Sequence, residues 1–321
     1  MLGYFRKRIF QSFFLLLGVL SITFLIIHLA PGEPIDIYVT PEIDPAVVEN
    51  IRTRLGLDKP IYVQFWSWLW RFVQGDFGMS LARHQPVVTI FKEALPPTLG
   101  LTIPALGLDL ILGITIGIIS AAKKYSVLDH ALSFGTLFIY SMPGFWLALM
   151  LILIFSLKLG WLPCSQVTSF DSENLNLFHR LLDYGKHLIM PVIVLGLASA
   201  ASTARFVRSN ILEVLNQDFI RTARAKGLTE ITILWKHALR NSLISVITLF
   251  GLSFPFLLGG AVVTEYVFAW PGMGRITVES IFARDYPVIL ATNFLAALMV
   301  ILGNLIADVL YAIVDPRIKY S

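Results

Sequence analysis

The stretch DFIRTARAKGLTE, residues 218–230, places Arg221, Arg224 and Lys226 between two apolar runs that are each able to cross a bilayer. Asp218 is suited to cap a helix ending near Lys226, and Gly227 supplies a left-handed stop at no steric cost. Thr229 then caps a second helix with Glu230 in its first turn. The stretch reads as two short helices with a sharp bend between them. On the first, Arg221 and Arg224 are three residues apart and share a side, and Ala223 is small enough for close approach. Two uses fit this pattern. The cations can hold the loop on the cytoplasmic side and attract anionic lipid, or the helix can lie in a groove of a partner protein.

On both sides of this stretch the chain is apolar. Of its 321 residues 56% are hydrophobic and 14% charged, with mean hydropathy +0.74, whereas a soluble domain carries about 25% charge. This composition implies an integral membrane protein. A helix needs about 20 apolar residues to span the hydrocarbon, and the segments 9–30, 98–122, 131–159, 188–204, 242–264 and 289–314 qualify, the fourth by extending into polar flanks. The first follows Arg6, Lys7 and Arg8 like a signal peptide, yet its apolar run exceeds the usual length and no small-x-small site closes it, so it is expected to remain as an anchor. Positive residues stay inside, which puts the N-terminus, and after six spans the C-terminus, in the cytoplasm. The segments then assigned inside hold fourteen Lys or Arg against five Asp or Glu, and those outside eleven against fourteen. The expected fold is an all-α membrane protein of six transmembrane helices with both termini cytoplasmic. Its expected parts are an anchor (1–30), an extracytoplasmic segment (31–97), a five-span core (98–314) containing the inner loop 205–241, and a cytoplasmic tail (315–321).

Within 31–97, WSWLWRFV carries Trp66, Trp68 and Trp70 and is too short to span; it reads as a helix along the outer interface, or as a docking surface for an outside partner. Pro104, Pro143, Pro191 and Pro255 fall inside expected spans, where neighbours can satisfy the freed carbonyls. Gly113 and Gly117 form a GxxxG, which permits close helix approach and also occurs often by chance. Asp109, near the middle of the second span, is a candidate intramembrane polar site, since a charge there costs about 2.5 kcal/mol or more. With Asp308 it could serve an ion- or proton-coupled transporter, or form an aspartyl hydrolase dyad, although HExxH and GxSxG are absent from the sequence. The single Cys164 and six scattered His suggest no metal site. No GxxxxGK[ST] phosphate loop occurs, so ATP chemistry by that route belongs to another chain.

RTARAKGL followed by HALRNSL resembles the cytoplasmic EAA-type loop of bacterial ABC importer permeases, in the branch that handles oligopeptides, dipeptides and nickel. LAPGEP (29–34), LDKPIYVQF (57–65), GDFGMS (75–80), LPPTLGLT (95–102), TEYVFAWPGMGR (264–275), RDYPVI (284–289) and DPRIKY (315–320) resemble the same branch in the same order, from end to end. The resemblance implies a type I permease fold and a coupling helix seated in a cleft of an ATP-binding subunit. By position, Ala223 stands at the family's second alanine, Gly227 at its glycine and Leu239 at its later leucine. Arg221 and Thr222 stand where Glu and Ala are usual, and Arg240 where proline is usual; Arg224 and Lys226 complete the coupling set. The implied partners are a second related permease, two ATP-binding subunits that hold ATP and magnesium, an extracytoplasmic substrate-binding protein and the bilayer, with no nucleic acid and no cofactor in this chain. Peptides are the default cargo, with nickel chelates, glutathione or sugars as alternatives.

Overall fold

The structure, a computed structural model, describes residues 2–29, 46, 49–50, 52–53, 56–239, 241–242 and 261–314. Helix α1 (Leu2–Leu29) is followed by α2 (Ile61–Val73) and α3 (Val87–Ala122). α3 begins eleven residues before the expected span and incorporates Pro96, Pro97 and Pro104. α2 is the tryptophan segment. It turns Phe65, Trp68 and Phe72 inward while Tyr62, Trp66 and Trp70 stay exposed, the two-sided arrangement expected of a helix lying in an interface.

Ser126 caps α4 (Val127–Ser141) by accepting from the Asp129 amide at 3.2 Å. The third expected span, 131–159, is not one rod. Pro143 disfavours the helical conformation at the residue before it; Met142 is extended (φ −78°, ψ 129°), and α5 (Gly144–Leu151), continuing as a π-helical stretch Ile152–Lys158, leaves at 96° to α4. α6 (Leu177–Leu215) is a single 39-residue helix that runs through Pro191 and, as expected, reaches into polar flanks. Asn176 caps it by accepting from the His179 amide. After α6 come α7 (Asp218–Ala225) and α8 (Glu230–Thr232), the latter continued by π-helical Ile233–Leu239. α9 (Val262–Val267), α10 (Met273–Phe282) and α11 (Tyr286–Val314) complete the chain. Phe10–Leu29, Val87–Ala122, Leu177–Leu215 and Tyr286–Ile306 are long and apolar enough to cross a membrane, and the bent pair makes a fifth crossing when taken together. The other expected span, 242–264, lies over most of its length outside the described residues.

The core is the contact of α3 with α6. A Cβ added to Gly113 would lie 2.6 Å from the Thr203 Cβ, one on Gly117 2.7 Å from the Val207 Cβ, and one on Gly196 2.7 Å from a Leu108 methyl. The GxxxG is therefore a genuine seam where backbones touch. The partners advance together along both helices, so α3 and α6 run parallel, and the chain between them must return across the bundle once, through α4 and α5. α1 runs against α11: Arg8 pairs with Asp308 at one end, and Phe24 and Ile27 pack with Tyr286 and Ile289 at the other.

Candidate functional site

At the Ala122 end of the bundle, α7 and α8 form a hairpin. Gln217, not Asp218, is the N-cap of α7, and Asp218 occupies the first turn, where a carboxylate favours the helix dipole. The helix closes in a Schellman motif: the Leu228 amide donates to the Ala223 carbonyl (3.3 Å) and the Gly227 amide to the Arg224 carbonyl (2.9 Å), with Gly227 at φ +80°. Thr229 caps α8 by accepting from the Thr232 amide. Two helices and a glycine-stopped bend stand where the spacing predicts them.

The inner face of the hairpin packs on its own chain. Ile220, Ala223 and Ile233 form a buried cluster with Val214 and Leu215 at the end of α6. Leu239 and Ala238 join Ile118, Ala121, Val207 and Ile211 at the ends of α3 and α6. Ala223 thus permits close approach, but of the π-helical stretch after α8 to α7 within the hairpin. Arg221, Thr222, Arg224, Lys226 and Gly227 are exposed, and Arg240 lies outside the described residues. Arg224 donates to both Glu230 oxygens (2.7 and 3.1 Å) and ties the two helices; these bonds hold the Glu230 carboxyl below its ordinary pKa and the guanidinium above its own. Arg221 reaches Asp218 at 3.2 Å. Two of the three cations therefore have carboxylate partners inside the hairpin. The hairpin also leaves Phe219, Leu228, Ile231 (72% exposed) and Trp235 (57% exposed) unburied.

Beside the hairpin, a clasp fixes the turn between α3 and α4 to α6. Asp129 is buried and accepts from Arg208 Nε and Nη2 at 2.8 Å each, from the Tyr125 amide at 2.8 Å, and from Ser120. The bidentate geometry is the strong form of this pairing. Asp129 and Arg208 are 79 residues apart, and no spacing rule joins them, so the sequence pattern did not single them out.

The opposite end carries a second unexpected hub. Glu265 is fully buried and accepts from Thr98 Oγ1 (3.0 Å) and from the Ala261 and Arg275 amides (3.2 and 3.0 Å), while Trp270 Nε1 donates to the Pro97 carbonyl at 2.8 Å. Burial raises the pKa of this carboxyl against the pull of those donors. A Cβ on Gly272 would fall 2.5 Å from the carboxyl, so the WPGMG turn admits only glycine there. This hub bolts the 265–275 turn onto α3 at Pro97 and Thr98, about three turns from its start.

The two intramembrane acids are apart and differently engaged. Asp308 pairs with Arg8 at 2.9 Å, which removes it from any dyad with Asp109. Asp109 is buried at the α3–α6 contact, where Thr203 is its hydrogen-bonding neighbour and its Oδ1 has no partner among the described residues. Among the described residues no group of His, Cys, Asp and Glu is placed to hold a metal.

Comparison with known proteins gives a concordant result. Residues 113–320 match the family described as binding-protein-dependent transport system inner membrane component, and residues 1–102 match its N-terminal counterpart. The oligopeptide transport system permease protein AppB of Bacillus subtilis (strain 168) is 45% identical over 321 residues, 100% of both chains. The glutathione transport system permease protein GsiC of Escherichia coli (strain K12) is 42% identical over the same full length. Among solved structures, the inward-facing MetNI methionine ABC transporter covers 71% of this chain and 97% of its own, with TM-score 0.56 at 17% identity, a likeness of fold.

Proposed function

Because this chain belongs to the family of binding-protein-dependent transport system inner membrane components, as a permease of the peptide and nickel branch of ABC importers, we propose that it forms half of a translocation path for peptides or a related small solute. A second permease supplies the other half, an extracytoplasmic binding protein delivers cargo, and two ATP-binding subunits dock on the α7–α8 hairpin. This chain spans the bacterial cytoplasmic membrane six times with the hairpin end inside. The chain itself is a transport subunit rather than an enzyme; ATP hydrolysis resides in the separate ATPase subunits.

The observation that carries this reading is the hairpin. Its cap, its Arg224–Glu230 tie and its buried cluster are all made within this chain, yet it leaves Phe219, Leu228, Ile231 and Trp235 uncovered. A lipid-binding charge cluster has no use for a preorganised bend, whereas a docking element gains affinity by having its ordering cost already met. Only two residues separate α6 from α7, and α6 is continuous with the α3 seam, so a shift of the hairpin is passed directly into the core. ATP-driven closure of the partner domains can thereby bias two membrane states, one open to each side.

The six-span orientation is tested by labelling. In a chain carrying Cys164→Ser, Phe170→Cys (90% exposed) is expected to react with an impermeant thiol reagent from outside, and Thr229→Cys only after permeabilisation. Reversed labelling would overturn the orientation.

The rival reading, a proton-coupled carrier, would require Asp109 to load and release protons. Its burial against Thr203, with no second acidic helix beside it among the described residues, favours a packing role instead. Asp109→Asn is therefore expected to retain at least half of wild-type tripeptide uptake, measured in cells containing the partner ATPases. Loss of uptake in that variant, together with uptake that survives deletion of the ATPases and collapses with the proton gradient, would establish the carrier.

A further inference from the structure

We propose that the cleft between α3, α4 and α6 at the hairpin end binds the phosphate of an anionic phospholipid of the cytoplasmic leaflet, held by Arg205 and by the Nη1 of Arg208. The inference rests on the orientation proposed above. The cleft is a shallow, half-open groove, with about 10 Å³ of enclosed space and about 170 Å³ when the adjoining solvent is counted, so a phosphate would sit at its mouth; it is walled by Ser120, Ser133, Thr136, Arg205 and Arg208 with apolar neighbours. Its hydroxyl protons are already committed: Ser120 and Ser133 donate to Asp129, and Thr136 donates to the Ser133 carbonyl. Asp129 neutralises one arginine through Nε and Nη2 of Arg208. Arg205 meets no carboxylate among the described residues. The unused hydrogen-bonding capacity of the cleft is thus cationic, with one charge in excess, and the ligand that matches it is an oxyanion.

Position and shape select a lipid as the source. Arg205 follows Ala204, where the apolar stretch of α6 ends, and lies one turn before Arg208, whose partner Asp129 also accepts from the Tyr125 amide at the α3–α4 turn. This is headgroup depth, where basic side chains attract anionic lipid. An arginine with nothing to bind at that depth extends toward water. Arg205 instead lies across the Tyr140 ring, its guanidinium carbon 4.2 Å from the centroid, which orients the planar group and leaves its edge for a bidentate phosphate contact. Phe134, Phe138 and Phe206 are exposed on the same two helices and offer apolar surface for acyl chains.

The test is native mass spectrometry of the full chain, purified with its partner subunits and exchanged into micelles containing phosphatidylglycerol or phosphatidylcholine. Wild type is expected to retain phosphatidylglycerol about tenfold better than phosphatidylcholine, and Arg205→Gln to lose about that preference, a factor equivalent to about 1.4 kcal/mol. Arg205→Lys should keep part of it, as charge without a planar fork. Tyr140→Leu, which leaves every charge in place, should weaken retention by a smaller factor, and this second variant guards against an Arg205→Gln protein that does not fold. Millimolar inorganic phosphate or a tripeptide should not displace the lipid. Equal retention by wild type and Arg205→Gln would overturn the proposal. So would displacement by phosphate or peptide, which would assign the cleft to a soluble oxyanion, or an effect of Arg205→Gln seen only when the second permease is bound, which would assign it to a partner carboxylate. Failure of the orientation reading is seen separately, in the thiol labelling.

Discussion

Uptake by a Gly227→Val variant is expected to fall at least about tenfold while the protein still inserts and folds. Gly227 sits at φ +80°, and a Cβ added there would meet nothing within 4 Å, so the whole effect is carried by the backbone. A left-handed conformation costs a residue with a Cβ roughly 1–2 kcal/mol, and more with a β-branch. That is enough to abandon the Schellman closure and release the Ala223 and Arg224 carbonyls. The bend then opens, and Phe219, Leu228 and Ile231 lose their common arrangement. Because the strain is conformational, activity should rank glycine, then Asn, which tolerates this region, then Ala, then Val. Recovery of the ATP-binding subunits with the purified permease should follow the same order. A charge-cluster reading ranks the variants by cations removed, so Arg221→Ala with Lys226→Ala, which spares the Arg224 tie, should then be worse than Gly227→Val. Normal transport by Gly227→Val beside a dead double mutant would end the docking interpretation. Ala223→Asp also disables the hairpin, but by placing a charge in the Ile220–Ile233 cluster, so it is the less diagnostic change.

The second large effect is expected at the clasp. Asp129→Ala removes the carboxylate that receives Arg208, Ser120 and the Tyr125 amide together. Breaking one side of a buried pair costs about 3–5 kcal/mol; since the Arg208 side chain is 27% exposed, the lower end applies. A loss of about 3 kcal/mol would lower the melting temperature in detergent on the order of 5–10 °C. Arg208→Ala should do likewise, and the double variant should lose much less than the sum, because the uncompensated charge is then gone. Uptake should fall in all three, since the turn joining α3 to α4 is no longer fixed to the helix that leads into the hairpin. An unchanged melting temperature in Asp129→Ala would show that the clasp is not a stabilising contact.

These two sites differ in how far the sequence discloses them. Gly227, Thr229 and the helices around them obey local rules of capping and bend formation, and the structure places them where those rules do. The apolar spans were legible for the same reason, since bilayer thickness sets their length. Local rules also set their limits. Pro143 reads like the prolines at 104 and 191, yet it alone among these three breaks the helix, because the chain turns at Met142 instead of finding neighbours to carry a kinked helix onward. Gly113 and Gly117 are indistinguishable by spacing from a chance GxxxG until Thr203 and Val207 are seen against them. Asp129, Glu265 and Asp308 each acquire meaning from a partner far along the chain. Spacing marks Ala223 as small enough for close approach, but only the structure shows it packed against Ile220 and Ile233 of its own chain.

The parallel course of α3 and α6 has a consequence for biogenesis. Gly113 and Thr203 are about ninety residues apart, and the polypeptide must pass through the α4–α5 return before α6 can be laid down alongside. While translation is still delivering that return, the glycine face of α3 has only lipid against it, and a helix so notched and carrying Asp109 gains little from lipid packing. The closing of the core is therefore a late, long-range event in synthesis, of the kind that folds slowly and leaves intermediates open to error. A nascent chain halted after Lys158 would hold every crossing up to the bend and still lack its centre, which makes the arrival of α6 the moment at which the membrane-inserted polypeptide becomes a folded protein.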